Sequence, residues 1–198
     1  MSLSLVKGGS INLTKSAADA GKVLNKLIAG AGWDPTQEGK KIDLDLMAIY
    51  IGTDGKAIPD ANGNGTNMDE ALLFFNNVDI AGAHHTGDNR TGDGDGDDEQ
   101  IVFTLSDIPA NVSEVAIVVA SYSGQTFGEV KNAFVRMVNA DGNEEIAKFE
   151  LTDGHATAKA IELGRIVRSA NGWEFKAIGN DIAGDFNTAV ASYGIIGQ

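Results

Sequence analysis

The chain has 198 residues, 42% of them apolar, no cysteine and a formal net charge of −13. That length suits one packed domain spanning residues 1–198, the spread of apolar residues excludes a disordered acidic tail, and the lack of cysteine excludes disulfides, thiolate zinc sites and cysteine nucleophiles. Residues 43–99 hold 13 acids against Lys56 and Arg90, a local charge of −11, while the other 141 residues carry −2; a basic nucleic-acid-binding face is excluded, and function is sought in the acidic region. No apolar run reaches the ~20 residues of a membrane span, and "MSLSLVKGG" lacks a basic start, an apolar h-region and a cleavage site, so the expectation is a cytoplasmic protein.

Short β-rich runs dominate. "LSLV" (Leu3–Val6) and "INLT" (Ile11–Thr14) flank "KGGS" and predict a hairpin. In "DAGKVLNKLIAGAGW", Val23, Leu24, Leu27 and Ile28 have helical spacing, but Gly21, Gly30 and Gly32 break a helix and favour a strand over Lys26–Trp33. "DLDLMAIYI" (Asp43–Ile51) is a strand that opens with alternating carboxylates and ends at "TDGK". "AIPDANGNGTNMDEA" is a polar surface loop, "ALLFFNNV" a short apolar strand and "QIVFTL" (Gln100–Leu105) a strand. "EVAIVVASYS" (Glu114–Ser123) has the β-branched continuity of a central strand. Asp141-Gly142 and Asn171-Gly172 each sit between two strands as hairpin turns, and "DIAGDFNTAVASYG" is the best helix, with Asp181 placed to cap it. Strands with turn signals about every ten residues and a single short C-terminal helix predict a mainly β protein, an antiparallel β-sandwich whose loops meet at one rim.

The stretch "HTGDNRTGDGDGDDEQ" (His85–Gln100) puts Asp88, Asp93, Asp95, Asp97, Asp98 and Glu99 into twelve residues with only Arg90 opposing them. Close carboxylates repel, so the fold must solvate them or supply a cation, and the interleaved glycines let the backbone bring the oxygens together. Oxygen donors suit a hard ion such as calcium and not zinc or copper. An EF-hand does not fit. Starting at Asp93 places Asp98 in the glycine slot and Thr104 in the terminal-glutamate slot; starting at Asp88 puts Arg90 at position 3. A calcium β-helix needs many copies of its glycine-rich turn, and there is one. What remains is a composite site. Asp43 and Asp45, at i and i+2, share one face of a strand. Asn76 and Asn77 offer neutral oxygens at the end of another. Asp88, Asn89, Asp97, Asp98 and Glu99 close over them, with backbone carbonyls near Thr91 and Gly92 completing the shell.

The blocks "GWD", "DLDLMAIYI", "FFNN", "HTGDNRTGDGDGDDEQI" and "GQTFGEVKNAFVRMVN", in that order, resemble the TerD family of tellurium-resistance and stress-response proteins. The likeness runs from "LVKGG" to "WEFKAIG"; the segments Lys15–Lys22 and Ala57–Ala71 are longer than the family's usual connections and inherit nothing from it. The resemblance implies a β-sandwich with calcium at one end, the same ligand positions, and as many as two ions sharing carboxylates. It also implies partners among other tellurium-resistance and stress proteins, including integral-membrane members of that system.

Adjacent His84 and His85 point opposite ways on an extended segment, and His85 is expected to hydrogen-bond loop backbone rather than ligate or catalyse. Trp33, Trp173, Phe127 and Phe134 are expected in the core. The leading expectation is a non-enzymatic calcium-binding stress protein whose rim organises assembly. Clustered aspartates also occur in metal-dependent phosphoryl-transfer and hydrolytic enzymes, but no phosphate cradle or nucleophile–base pair is visible. A calcium-dependent membrane-surface binder would carry apolar or basic loop tips, which this loop lacks.

Overall fold

The computed structural model describes residues 3–4, 7–35, 41–59, 68–151 and 154–195. In chain order, β1 (Leu3–Ser4) and β2 (Ser10–Asn12) lead to a helix α1 (Leu13–Asp19), then β3 (Lys26–Pro35) and β4 (Leu44–Ile51). The one-turn helix α2 (Met68–Ala71) runs into β5 (Leu72–Leu73), followed by β6 (Asp79–Ile80), β7 (Ala83–His85), β8 (Glu99–Thr104) and β9 (Glu114–Ser121). A 3-10 turn at Phe127–Glu129 opens β10 (Val130–Asn139). Then come β11 (Glu144–Glu150), β12 (Ala160–Ser169), β13 (Gly172–Ile182) and helix α3 (Phe186–Ser192).

Two sheets result, ordered β1-β11-β10-β3-β8-β7-β6 and β2-β13-β12-β9-β4-β5. β1 lies parallel to β11, while neighbours such as β10–β3, β3–β8 and β4–β9 are antiparallel. The burial pattern of each strand follows its place. On β8, Glu99, Ile101 and Phe103 are buried while Gln100, Val102 and Thr104 are half-buried, as expected of a strand with one face on the core. β4 is buried at every position, because α2 packs on the same strand whose other face meets the opposite sheet. Its continuous apolar run is what two-sided burial requires. Tyr50, Phe103, Phe127, Leu46 and Ile49 are fully buried at the centre.

The strands expected over Lys26–Trp33 and Glu114–Ser123 and the two hairpins at Asp141-Gly142 and Asn171-Gly172 are present. The N-terminal hairpin is not. β1 pairs with β11 in one sheet and β2 with β13 in the other, so "KGGS" turns the chain between sheets instead of joining two partners; Leu5 and Val6 lie outside the described residues. Leu13 begins α1, capped by Asn12 Oδ1, which accepts from Lys15 N at 2.7 Å. "ALLFFNNV" is the end of α2, the two-residue β5 and a turn closed by reciprocal backbone bonds between Phe74 and Asn77. The long polar loop begins with the buried Ala57 and Ile58 and ends in α2; residues 60–67 lie outside the described residues. The cap of α3 is Asp185, whose Oδ1 accepts from Thr188 N at 3.0 Å, whereas Asp181 is on β13 and pairs with His155. Trp33, Trp173 and Phe127 are buried, but Phe134 is only half-buried on the outward face, under the Lys148 ammonium 4.2 Å from its ring centre. No helix among the described residues is long and apolar enough to cross a membrane.

Candidate metal centre

Asp43, immediately before β4, Asp45 within it, and Asp88, in the connection from β7 to β8, converge so that one oxygen of each lies within 4.8 Å of the others. The i, i+2 spacing sends Asp43 and Asp45 to the same side of the chain. Asp45, opposite Ala120 of β9, is only 2% exposed. Among the described residues, its Oδ2 and the Oδ1 of Asp43 are buried without a hydrogen-bond partner. A buried anion lacking a partner costs several kcal/mol unless it is neutralised, by a proton or by a cation. Burial, with Glu99, Asp43 and Asp88 nearby, pushes the Asp45 carboxyl up to about 8. Burial and the neighbouring Asp88 also raise Asp43.

Glu99 forms the floor. Among the described residues β5 pairs with Ala48 and Ile49 of β4 and not with Leu46, whose N–H donates to Glu99 Oε2 at 2.8 Å across the sandwich. Glu99 Oε1 accepts from Asn89 N at 3.2 Å, tying the loop to the same carboxylate. His85 is fully buried, with Nε2 3.4 Å from Glu99 Oε2. Its Nδ1 accepts from Gly87 N at 3.2 Å, the expected bond to loop backbone, while His84 points outward to Asp79 at 2.7 Å.

The loop is braced by Trp33. The Trp33 backbone N–H donates to Asp98 Oδ2 at 2.8 Å, and its indole Nε1 donates to Ile42 O at 2.9 Å, so one residue holds both the acidic loop and the entry to β4. Asp98 Oδ1 accepts from Asn89 Nδ2 at 2.6 Å, and burial pushes the Asp98 carboxyl up to about 6. Asn89 Oδ1 gathers three donors, Thr91 N, Thr91 Oγ1 and Gly92 N, at 3.0–3.1 Å. Gly92, at φ +68, lies so close to Trp33 that a Cβ would meet the indole at 2.5 Å.

The eleven expected ligand positions therefore divide. Asp43, Asp45 and Asp88 form the cluster, Glu99 adjoins it, and Asn89, Thr91, Gly92 and Asp98 build the loop that holds Asp88. Asp97 turns the other way. Its carboxylate lies over Gly30 and receives Arg136 Nε at 2.7 Å, Arg136 Nη2 at 3.0 Å and Gln100 Nε2 at 2.9 Å. Strand alternation explains this: Gln100 and Arg136 flank Gly30 in register, on the face opposite the buried Glu99 and Val135. Asn77 Nδ2 donates to Asp69 O at 3.1 Å and Leu72 O at 2.7 Å, bracing α2, and Asn76 is exposed beside it. Among the described residues no hydrogen bond or ion pair ties either asparagine to the cluster. Arg136 was the residue least apparent from the sequence, although a lone arginine in "AFVRMV" marks an outward position.

The family model for the TerD domain matches residues 1–193. The chain belongs to the TerD family. It is 38% identical over 202 residues to the tellurium resistance protein TerD of Alcaligenes sp, covering 98% of each chain. It is 38% identical over 188 residues to the stress response protein SCP2 of Bacillus subtilis, covering 90% of this chain and 92% of that one. A solved structure, a homologue of telluride resistance protein (TerD) from Streptomyces coelicolor A3(2), superposes with a TM-score of 0.66 at 20% identity, over 88% of this chain and 99% of that one, and shows the same fold. Within this TerD fold the orphaned carboxylate oxygens, all hard donors, fit a divalent cation of the calcium type better than a soft metal.

Proposed function

We propose that this TerD-family chain is a non-enzymatic calcium-binding protein of tellurium resistance and stress response, and that the ion at its rim organises contacts with partner proteins. One observation carries the metal: Asp45 is a nearly buried carboxylate with an unpartnered oxygen aimed into a group with Asp43 and Asp88. Bound calcium would supply the positive charge those oxygens lack, with Asp43, Asp45 and Asp88 as its holders and Glu99 behind them. The carboxylate oxygens orphaned among the described residues belong to this one cluster, and the proposal is for one ion there.

The non-enzymatic reading is supported by His85, the base nearest the acids. Its imidazole is fully buried and its Nδ1 is taken by Gly87 N, so it is not free to activate a water. The assembly reading is supported by what surrounds the rim. Tyr122, 57% exposed, donates its backbone N–H to Asp43 O and stacks edge-on against Phe75, which adjoins Phe74 and Phe186. An exposed aromatic beside a charge-sensitive loop is suited to a protein contact. The partners this reading proposes are other tellurium-resistance and stress proteins, membrane-embedded ones included, met by a chain working in the cytoplasm; relatives named for tellurium resistance and stress response support the setting, not the contacts.

Calcium titration of the chelator-stripped protein, read by calorimetry and thermal melting, tests the reading. Ligand binding only to the folded state stabilises it by about 2.7 kcal/mol at 100-fold excess over Kd. Calcium is expected to raise Tm clearly and equal magnesium less, since magnesium demands a tight octahedron and holds its waters. A melt unchanged from micromolar to millimolar calcium would refute the metal site. The loaded protein is expected to show no turnover of phosphomonoesters, phosphodiesters or nucleotides; hydrolysis abolished by Asp88→Asn would make it an enzyme.

A further inference from the structure

Arg90 stands at the mouth of the carboxylate cluster, with Nε 3.9 Å from Asp43 Oδ2 and 3.8 Å from Asp88 Oδ2. Both distances exceed hydrogen-bond length, and the side chain is 70% exposed. The guanidinium is attracted to the two carboxylates without being locked to either. Arg136 differs: it holds the nearly buried Asp97 through two short hydrogen bonds. Arg90 also leaves the compensation incomplete, since Asp43 Oδ1 and Asp45 Oδ2 keep no partner. It supplies a partial positive charge to a group of anions built for a larger one.

We infer that Arg90 is a tethered counter-cation that shields the metal-free cluster, is pushed aside when a divalent ion enters, and thereby sets the ion's affinity. The inference rests on the calcium reading above. An ion between Asp43 and Asp88 places two further positive charges within a few ångströms of the guanidinium, and the two cations repel. Arg90 is exposed and can swing aside without disturbing the core. Beside it lies a basin of about 290 Å³ lined by Lys41, Asp43 and Ser123, which gives it room. Its displacement costs every entering divalent cation alike, so it weakens binding by a common factor and raises the concentration at which the site fills.

The test compares calcium calorimetry and chelator-treated melting for the wild type, Arg90→Gln, Arg90→Lys and Lys41→Gln. Arg90→Gln is expected to tighten calcium by roughly tenfold, through loss of a competing charge a few ångströms away. It should also lower the Tm of the metal-free protein, while Arg90→Lys stays near the wild type. Lys41→Gln removes the same net charge from the same basin and should tighten calcium by less than about twofold, because exposed charges at longer range are screened. Arg90→Gln binding no tighter than the wild type overturns the inference and leaves the calcium reading standing. Equal tightening by Lys41→Gln overturns it too, because net charge alone would then explain the effect. A wild type that takes up no calcium overturns both.

Discussion

Asp97 and Arg136, 39 residues apart in sequence, form a two-pronged ion pair at 2.7 and 3.0 Å on the outward face of the sheet. The carboxylate is 1% exposed and the guanidinium about one-third exposed. Removing only the cation strands a nearly buried charge. Arg136→Leu is expected to destabilise the metal-free protein by about 2–4 kcal/mol. The double variant Arg136→Leu/Asp97→Asn should recover a good part of that loss, because no unpaired ion remains. Urea denaturation of the three proteins decides it, and a double variant no more stable than Arg136→Leu would show that the charge is not what matters.

A composite site makes the strand acids as important as the loop acid. Asp43→Asn, Asp45→Asn and Asp88→Asn are each expected to weaken calcium by roughly tenfold or more, since each removes one charged ligand. Asp141→Asn is the control. Asp141 Oδ2 accepts from Asn25 N and Lys26 N at 2.6 and 2.9 Å in the β10–β11 turn, so its loss should cost stability and leave affinity unchanged. A peptide spanning residues 84–100 should bind feebly. If it matched the intact chain, the loop would be a lone chelator.

The metal-free protein should lose stability as pH rises. Asp45 holds its proton to about 8 in the folded state, against an ordinary 3.8 when unfolded, and Asp98 to about 6. Between those values the folded chain binds more protons than the unfolded one. Their contribution is complete below about pH 4 and is lost progressively up to about pH 8. Tm in chelator is therefore expected to fall from about pH 5 to pH 8, and Asp45→Asn should flatten the upper part of that slope. Calcium affinity should rise over the same range as the ion displaces the protons. A metal-free Tm that climbed towards pH 8 would contradict the buried, uncompensated carboxylate.

Gly92→Ala should damage the loop from a position that bears no ligand side chain. Its φ of +68 disfavours any Cβ, and that Cβ would lie 2.5 Å from the Trp33 indole, whose Nε1 anchors Ile42 just before Asp43. A loss of about 2–4 kcal/mol is expected, with weaker calcium binding as the two anchored segments shift. Thermal melting and calorimetry on the same sample measure both. A variant as stable as the wild type would mean that the close approach to Trp33 relaxes without cost.

Features encoded by neighbouring residues were legible in the sequence. Asp141-Gly142 and Asn171-Gly172 name their own turns, the glycines around Leu27 rule out a helix there, and the spacing of Asp43 and Asp45 puts both on one side of the chain. Features decided by distant partners were not. "KGGS" has hairpin chemistry, yet β11 and β13 draw β1 and β2 into different sheets. Asp97 looks like every other loop acid until Arg136 arrives from β10. The sequence places Asp181 as the cap, yet Asp185 takes the role because the helix begins at Phe186, where that ring packs on Phe74 and Phe75.

The pairing of β1 with β11 and of β2 with β13 bears on how the chain is made. Ser10–Asn12 must wait for Glu174–Lys176, and Leu3–Ser4 for Ala147–Lys148. A ribosome adds roughly 5–20 residues per second, so strands made early stay without partners for on the order of ten seconds. During that time Gly172–Ile182 is not yet available to extend its end of the second sheet, and β2 has no strand to pair with. β4 and the β7–β8 connection lie towards the opposite ends of the two sheets from these late pairings, so every segment that carries the metal cluster has been made before the first strands find their partners.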